Sequence, residues 1–361
     1  MTSLSCKAVP KDRLLEPVYR FEAPSVKSVR NVFRRAHAVS EHLYRESGVW
    51  GESLLEGCPP MYRNTSRRII GYAEVLKAGG IDEREKNVYY KRVLEGAEYL
   101  LREQQEDGSF LWWAYDRSGH PNTHHLLYCS AIAGCALLEA YKLSGEERYL
   151  DASRKACEWA SRFPVSTNTN YNSFAVWHLS SHYMETGEER FLERAIEKTV
   201  EGVYPRQLPN GAWAGHNSWI FYHSIIVRGF AALYGALPEG HEAKAELKAR
   251  MIMAVNHMIV EQLPNGYFRS CWDPGEWART RDPKHPYSVH REEMFCPFTI
   301  HALVTVLEMT DLDKGSGSIE NALRGALGSK PPEDLDSRGS IQLAYGAGYG
   351  WLMRRSKTRT R

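Results

Sequence analysis

The sequence predicts an all-α protein, an (α/α)6-like toroid built from helical hairpins, and three observations predict it. A helix-stop, helix-start segment occurs twice. A Gln-x-x-x-Gly-x-aromatic motif occurs three times. Apolar residues recur at helical spacing, while the period-two alternation of strands is scarce.

The first segment, Ser144-Gly145-Glu146-Glu147-Arg148-Tyr149-Leu150, returns 42 residues later as Thr186-Gly187-Glu188-Glu189-Arg190-Phe191-Leu192. In each copy a glycine suits the left-handed end of one helix, and acidic residues suit the first turn of the next, where the helix dipole favours negative charge. The motif runs Gln104 to Phe110, Gln207 to Trp213 and Gln262 to Phe268, with spacings of 103 and 55 residues. The first spacing is nearly twice the second, as if a copy near Ala160 had degenerated. A unit of about fifty residues fits two helices and their connections. Residues 31–353 hold about six such units, after a charged N-terminal extension (1–30) and before a basic tail (354–361) expected to be disordered.

Composition narrows the class. The chain has 361 residues, of which 43% are hydrophobic and 25% charged, values of a globular domain rather than a disordered one. A formal charge of +2 gives no global case for nucleic-acid binding. Met1–Arg30 has no apolar leader core, and the apolar run near Ala131–Leu138 is too short to span a bilayer, so no membrane partner is expected. Seven cysteines without a C-x-x-C spacing read as reduced thiols, hence a cytoplasmic location. No Gly-rich phosphate loop is present, and Cys271, His285 and Cys296 match no standard metal spacing. No cofactor and no metal are expected, and the oligomeric state stays open.

Three long stretches, 111–122, 211–218 and 270–290, each follow a motif copy and are rich in Trp, His, Asp, Tyr and Arg. If the repeats are equivalent, all three lie on one rim. The first carries Trp112, Trp113 and Asn122, then His124 and His125 at a helix start. The second joins Trp213 to His216, Asn217, Trp219, Tyr222 and His223, the last three sharing one helix face. The third carries Trp272, Asp273, Glu276, Arg279, His290 and Arg291. Histidine takes a proton near neutral pH, a Tyr hydroxyl gives or takes one, Asn and Arg hold a carboxylate, and Trp stacks on a sugar ring. Asp107, Asp116, Asp273 and Glu276 supply carboxylates for a hydrolytic pair. Asp107, however, stands where the other copies have Asn210 and Asn265, before the turn glycine, and reads as a turn residue.

The three Gln/Gly/aromatic segments resemble the QW motif of squalene cyclases. They are also similar to hairpin ends in six-hairpin glycosidases, uronyl hydrolases, α/α-toroid polysaccharide lyases and glucuronyl epimerase-like proteins. Asn122-Thr123-His124-His125 resembles the Asn-His helix start of alginate-lyase-like toroids. The acidic motif of the cyclases is missing: the nearest segments are Asp311-Leu312-Asp313-Lys314 and Asp334-Leu335-Asp336-Ser337. The zinc-binding Cys-His-Gly pattern of lanthionine cyclases is missing too. The resemblance implies the toroid and, joined to the polar clusters, an enzyme acting on an acidic, uronic-acid glycan. β-Elimination is the expected chemistry, with His124, Tyr222, His223 and His290 catalytic. Trp112, Trp113, Asn122, His125, Trp213, Asn217, Trp219, Trp272, Asp273, Arg279 and Arg291 would bind substrate. Epimerisation, hydrolysis by paired carboxylates, a terpenoid cyclase or isoprenoid-binding toroid, and a peptide-binding helical scaffold are the alternatives.

Overall fold

A computed structural model describes residues 7–45, 48–50, 62–111, 124–276, 292–331 and 339–359. Among these the chain forms twelve α-helices: α1 (Val26–Leu43), α2 (Tyr62–Ala78), α3 (Glu83–Glu103), α4 (His124–Ser144), α5 (Glu147–Arg162), α6 (Thr169–Thr186), α7 (Glu189–Gly202), α8 (Ile220–Ala236), α9 (Ala243–Val260), α10 (Pro297–Met309), α11 (Ser318–Gly328) and α12 (Ser340–Arg359). Two antiparallel ribbons of two-residue strands complete the fold: β1 (Tyr44–Arg45) with β2 (Val49–Trp50), and β3 (Phe268–Arg269) with β4 (Glu293–Met294).

The even-numbered helices form a closed inner ring: α2, α4, α6, α8, α10 and α12 each pack on the next, and α12 returns to α2. The odd-numbered helices back them from outside, with α3 on α2, α5 on α4, α7 on α6, α9 on α8, α11 on α10 and α1 on α12. Composition assigns these layers. Residues 126–138 of α4 are buried on every face, as are residues 223–234 of α8. The outer α5 buries only a stripe, including Tyr149, Ala152, Ala156 and Ala160, and leaves its charges in solvent. The expected α/α toroid is therefore the fold. The apolar helix His125–Ser144, the one described helix long and apolar enough to cross a membrane, is an inner wall of this ring.

Helices alternate outward and inward, so the described residues that follow the outer helices fall on one rim. These include 104–111, 203–219 and 261–276. The opposite rim carries short turns such as 79–82, 145–146 and 187–188.

The three motif copies are one structure repeated. Each glutamine's Nε2 donates to the carbonyl of its own turn glycine and to a carbonyl on the next outer helix. Gln104 bonds Gly108 and Ala152, Gln207 bonds Gly211 and Arg250, and Gln262 bonds Gly266 and Ala322, the second bond being 2.9 Å in all three. The side chains of Asp107, Asn210 and Asn265 each accept from the backbone N–H two residues on, the Asx turn expected of Asp107. Phe110, Trp213 and Phe268 are buried. The turn glycines have φ of +92°, +82° and +80° and lie against the carbonyls of Lys155, Met253 and Gly325, each three residues beyond the glutamine's acceptor. Near Ala160 the glutamine is gone and its job is reversed: Arg194 and Lys198 of α7 reach back to the carbonyls of Ser161 and Phe163.

The ends differ from expectation. α1 begins at Val26, inside the segment read as an extension. Residues before it lie along α9 and α11: Asn256 holds the backbone of Pro10, Arg13 and Leu15, and Asn321 holds Tyr19 and Phe21. The basic tail is helical through Arg359, because Arg354 pairs with Glu308 and Arg355 with Glu320.

Candidate functional site in the ring lumen

Polar residues at the N-terminal turns of the inner helices lie on the long-loop rim and below it. The hydroxyl of Tyr171 on α6 is 2.7 Å from Nδ1 of His125 on α4, and both side chains are partly exposed. Tyr128, one turn below His125, stacks parallel to Tyr171 at 6.3 Å and packs on Phe174. Beside this pair, Asn170 Nδ2 donates to Asn217 Oδ1 at 3.0 Å. Asn217 sits in a short 3-10 turn before α8 with His216, whose ring lies 4.1 Å from that of Tyr222. His216 is also 3.9 Å from Glu276, which accepts from Trp219 Nε1. These groups run as one arc from α4 through α6 to α8.

Two buried guanidinium groups lie deeper. Arg67 of α2 donates to Tyr128 Oη at 2.9 Å and Ser340 Oγ at 3.1 Å, and lies 4.8 Å from the Phe298 ring, so it joins four inner helices. Arg228 of α8 stacks 3.5 Å over Trp177 and 4.8 Å over Phe174, with one nitrogen 3.4 Å from His301 Nδ1. Its Nε and Nη2 have no hydrogen-bond partner among the described residues. Burial pulls this guanidinium down to about 9, and it stays charged at neutral pH. A buried cation of this kind favours an anion nearby. Beyond Trp177 and His301, towards the opposite rim, lies a cavity of about 220 Å³ lined by Glu74, Lys77, Glu139, Glu308 and Arg354. Its charges are paired, Lys77 lying 2.7 Å from Glu74 and 2.5 Å from Glu139.

The expected site residues divide. His125, Asn217 and Tyr222 reach the arc. Trp112, Trp113, Asn122, Arg279, His290 and Arg291 lie outside the described residues, as does the side chain of His124. Five expected site residues need correction. His223 is fully buried, donates from Nε2 to the Ala254 carbonyl at 2.9 Å, and packs between Trp213, His257 and Trp272. Burial lowers it to about 4, partly opposed by that carbonyl, so it is a neutral core group facing α9. Trp213, Trp219 and Trp272 are buried, which leaves no ring face for a sugar, and their indole N–H groups donate to Val203 O, Glu276 and Trp213 O. Asp273 builds a turn. Burial alone would raise its carboxyl, but N–H donors from Gly215, Glu276 and Gly275 outweigh that and hold it below the usual carboxylate range.

The sequence reading missed Arg67, Asn170, Tyr171 and Arg228. Asn170 and Tyr171 carried the available signal: they are polar residues in the first turn of a helix whose next residues, 172–180, are all buried.

No protein-family model matches the sequence, and no curated protein does. Solved structures do. A polysaccharide lyase superposes with a TM-score of 0.60 at 14% identity, over 93% of this chain and 99% of that one. A family 88 glycosyl hydrolase from Bacteroides vulgatus gives 0.61 at 13%, over 91% and 100%. An unsaturated glucuronyl hydrolase from Streptococcus agalactiae gives 0.61 at 10%, over 96% and 98%. At these identities the likeness speaks for architecture, and the chain has the α/α-toroid fold of these lyases and glycosyl hydrolases.

Proposed function

We propose that this chain is an enzyme that cleaves a uronic-acid-containing oligosaccharide by β-elimination, with the arc around His125 and Tyr171 as its active site. The observation that carries the reading is the His125–Tyr171 hydrogen bond beside the Asn170–Asn217 amide pair and above Arg67. Elimination needs a base for the C5 proton, an acid for the leaving oxygen and a partner for the charge that spreads onto the carboxylate. An imidazole and a phenol serve the first two. The amides and the guanidinium serve the third, and no metal is required. The names of the fold's neighbours, a polysaccharide lyase and two hydrolases of glycans, support a glycan substrate.

Glu276, 3.9 Å from His216 on the same arc, favours a second reading, hydrolysis. An isoprenoid site is disfavoured because the lumen holds buried cations and the cavity beneath it is lined by ionised pairs. Alginate, glucuronan, pectate and glycosaminoglycan fragments would be incubated with the protein, and the ultraviolet absorbance of unsaturated uronides followed. Unsaturated products support elimination. Saturated reducing ends that disappear in Glu276→Gln would replace it with hydrolysis.

A further inference from the structure

Away from the lumen, between α5 and α6, four donor atoms converge. Ser153 and Cys157 are one turn apart on α5, and His178 and His182 are one turn apart on α6. All four residues are fully buried. Ser153 Oγ is 3.0 Å from His178 Nε2 and 3.2 Å from His182 Nδ1, and Cys157 Sγ is 3.4 Å from His178 Nε2. One ligand atom each from Cys157, His178 and His182 fits within a 4.8 Å span. A tetrahedral ion with bonds of about 2.0–2.3 Å needs donors about 3.3–3.7 Å apart, close to these separations.

We propose that Cys157, His178 and His182 bind a tetrahedral divalent transition metal of the zinc or cobalt type, with the Ser153 hydroxyl as fourth ligand. Two further features support it. His182 Nε2, the nitrogen turned away from the site, lies 3.5 Å from Glu188, which puts a carboxylate on the side where one can orient a ligating imidazole. Glycine at position 134 leaves room for the His178 ring, since a Cβ there would stand 2.0 Å from its Cε1. On binding, the Cys157 S–H bond breaks, a metal–thiolate bond forms and the proton leaves to solvent. The site then carries one net positive charge beside Glu188, a carboxylate that also pairs with Arg154 at 2.9 Å and Arg190 at 2.7 Å. A site enclosed on all sides by protein ligands is structural, clamping one hairpin to the next, and stands apart from the proposed glycan chemistry.

The test is to produce the full chain in cells grown on cobalt-supplemented minimal medium, so that the ion enters as the chain folds. Metal content is measured by mass spectrometry, and the thiolate-to-cobalt charge-transfer band by absorbance. One ion per chain, and a band present in wild type and Cys135→Ala but lost in Cys157→Ala, are expected. Substoichiometric cobalt in wild type overturns the proposal, as does a band that survives Cys157→Ala. Should that variant not fold, X-ray absorption on the wild type decides: one sulfur and two imidazoles around the ion support the site, and a sulfur-free shell overturns it.

Discussion

The phenolic oxygen of Tyr171 lies 2.7 Å from Nδ1 of His125, one hydrogen bond tying two adjacent inner helices at the polar rim of the ring. A phenol and an imidazole so joined can hand a proton between them, and this makes them the centre of the proposed chemistry. Tyr171→Phe and His125→Ala should each lower kcat by about 10²- to 10⁴-fold, the usual size of a general acid or base effect. Far-ultraviolet circular dichroism should stay unchanged. Full activity in either variant removes the pair from the mechanism.

Arg67 is expected to act on binding. Its guanidinium already spans Tyr128 and Ser340, so a uronate placed above it gains a charge-assisted contact. Arg67→Met should raise KM about tenfold or more, a loss of about 1.4 kcal/mol or more per site, with a smaller change in kcat. Steady-state kinetics on an acidic oligosaccharide checks this. A variant with unaltered KM would assign Arg67 to ring packing alone.

The motif turns make a stability prediction. At Gly211 a Cβ would meet the Met253 carbonyl at 2.0 Å, whereas at Gly145, also left-handed at φ +73°, nothing lies within 4 Å. Gly145→Ala should cost about 1 kcal/mol through backbone strain alone. Gly211→Ala should cost about 3 kcal/mol or more, because strain and a backbone clash add. Gln207→Ala, which strands two carbonyls, should fall between them at about 1–3 kcal/mol. Urea denaturation of the three variants orders them.

Lys198 predicts a pH dependence. It is fully buried, with its ammonium donating to Phe163 O at 2.7 Å; burial, helped by Arg194, lowers it from 10.5 to about 7. Between pH 7 and about 10.5 the unfolded chain binds more protons at this residue than the folded one. Its contribution to stability therefore rises with pH across that window and is least favourable below pH 7. Lys198→Met removes this dependence. Relative to wild type, the variant should look most stable near pH 7 and lose that advantage by pH 9.5. The shift between the two pH values should be on the order of 1–3 kcal/mol. A constant difference between the two proteins would contradict the lowered value.

The architecture was legible because the repeat has a physical meaning. A glutamine that reaches the next outer helix, a turn glycine in the left-handed region and a buried aromatic are needed at every such corner, so the corner recurs in sequence. Even the degenerate copy left its trace as a doubled spacing, although nothing in the sequence disclosed that Arg194 and Lys198 supply the missing bonds from the other side. The site was half legible. His125, Asn217 and Tyr222 stood out as polar residues at helix starts. Trp213, Trp219 and Trp272 misled because a loop tryptophan looks available for stacking until its ring is seen to be buried. Arg228 was hidden for the opposite reason: inside an apolar helix it reads as an isolated charge, and only the closed ring turns it towards the axis.

The sixth hairpin joins helices from the two ends of the chain, since α1 backs α12. Five hairpins form from neighbouring sequence, but the ring behaves like a belt whose buckle is split between its ends. During synthesis α1 and the strap before it must wait on the ribosome for α9, α11 and α12 to emerge, exposing apolar surface meanwhile. The slow step of folding is then a long-range docking of an earlier-made segment onto later-made ones. A permuted gene that opens the ring at Gly145 and fuses α12 to α1 would turn that step into a local one.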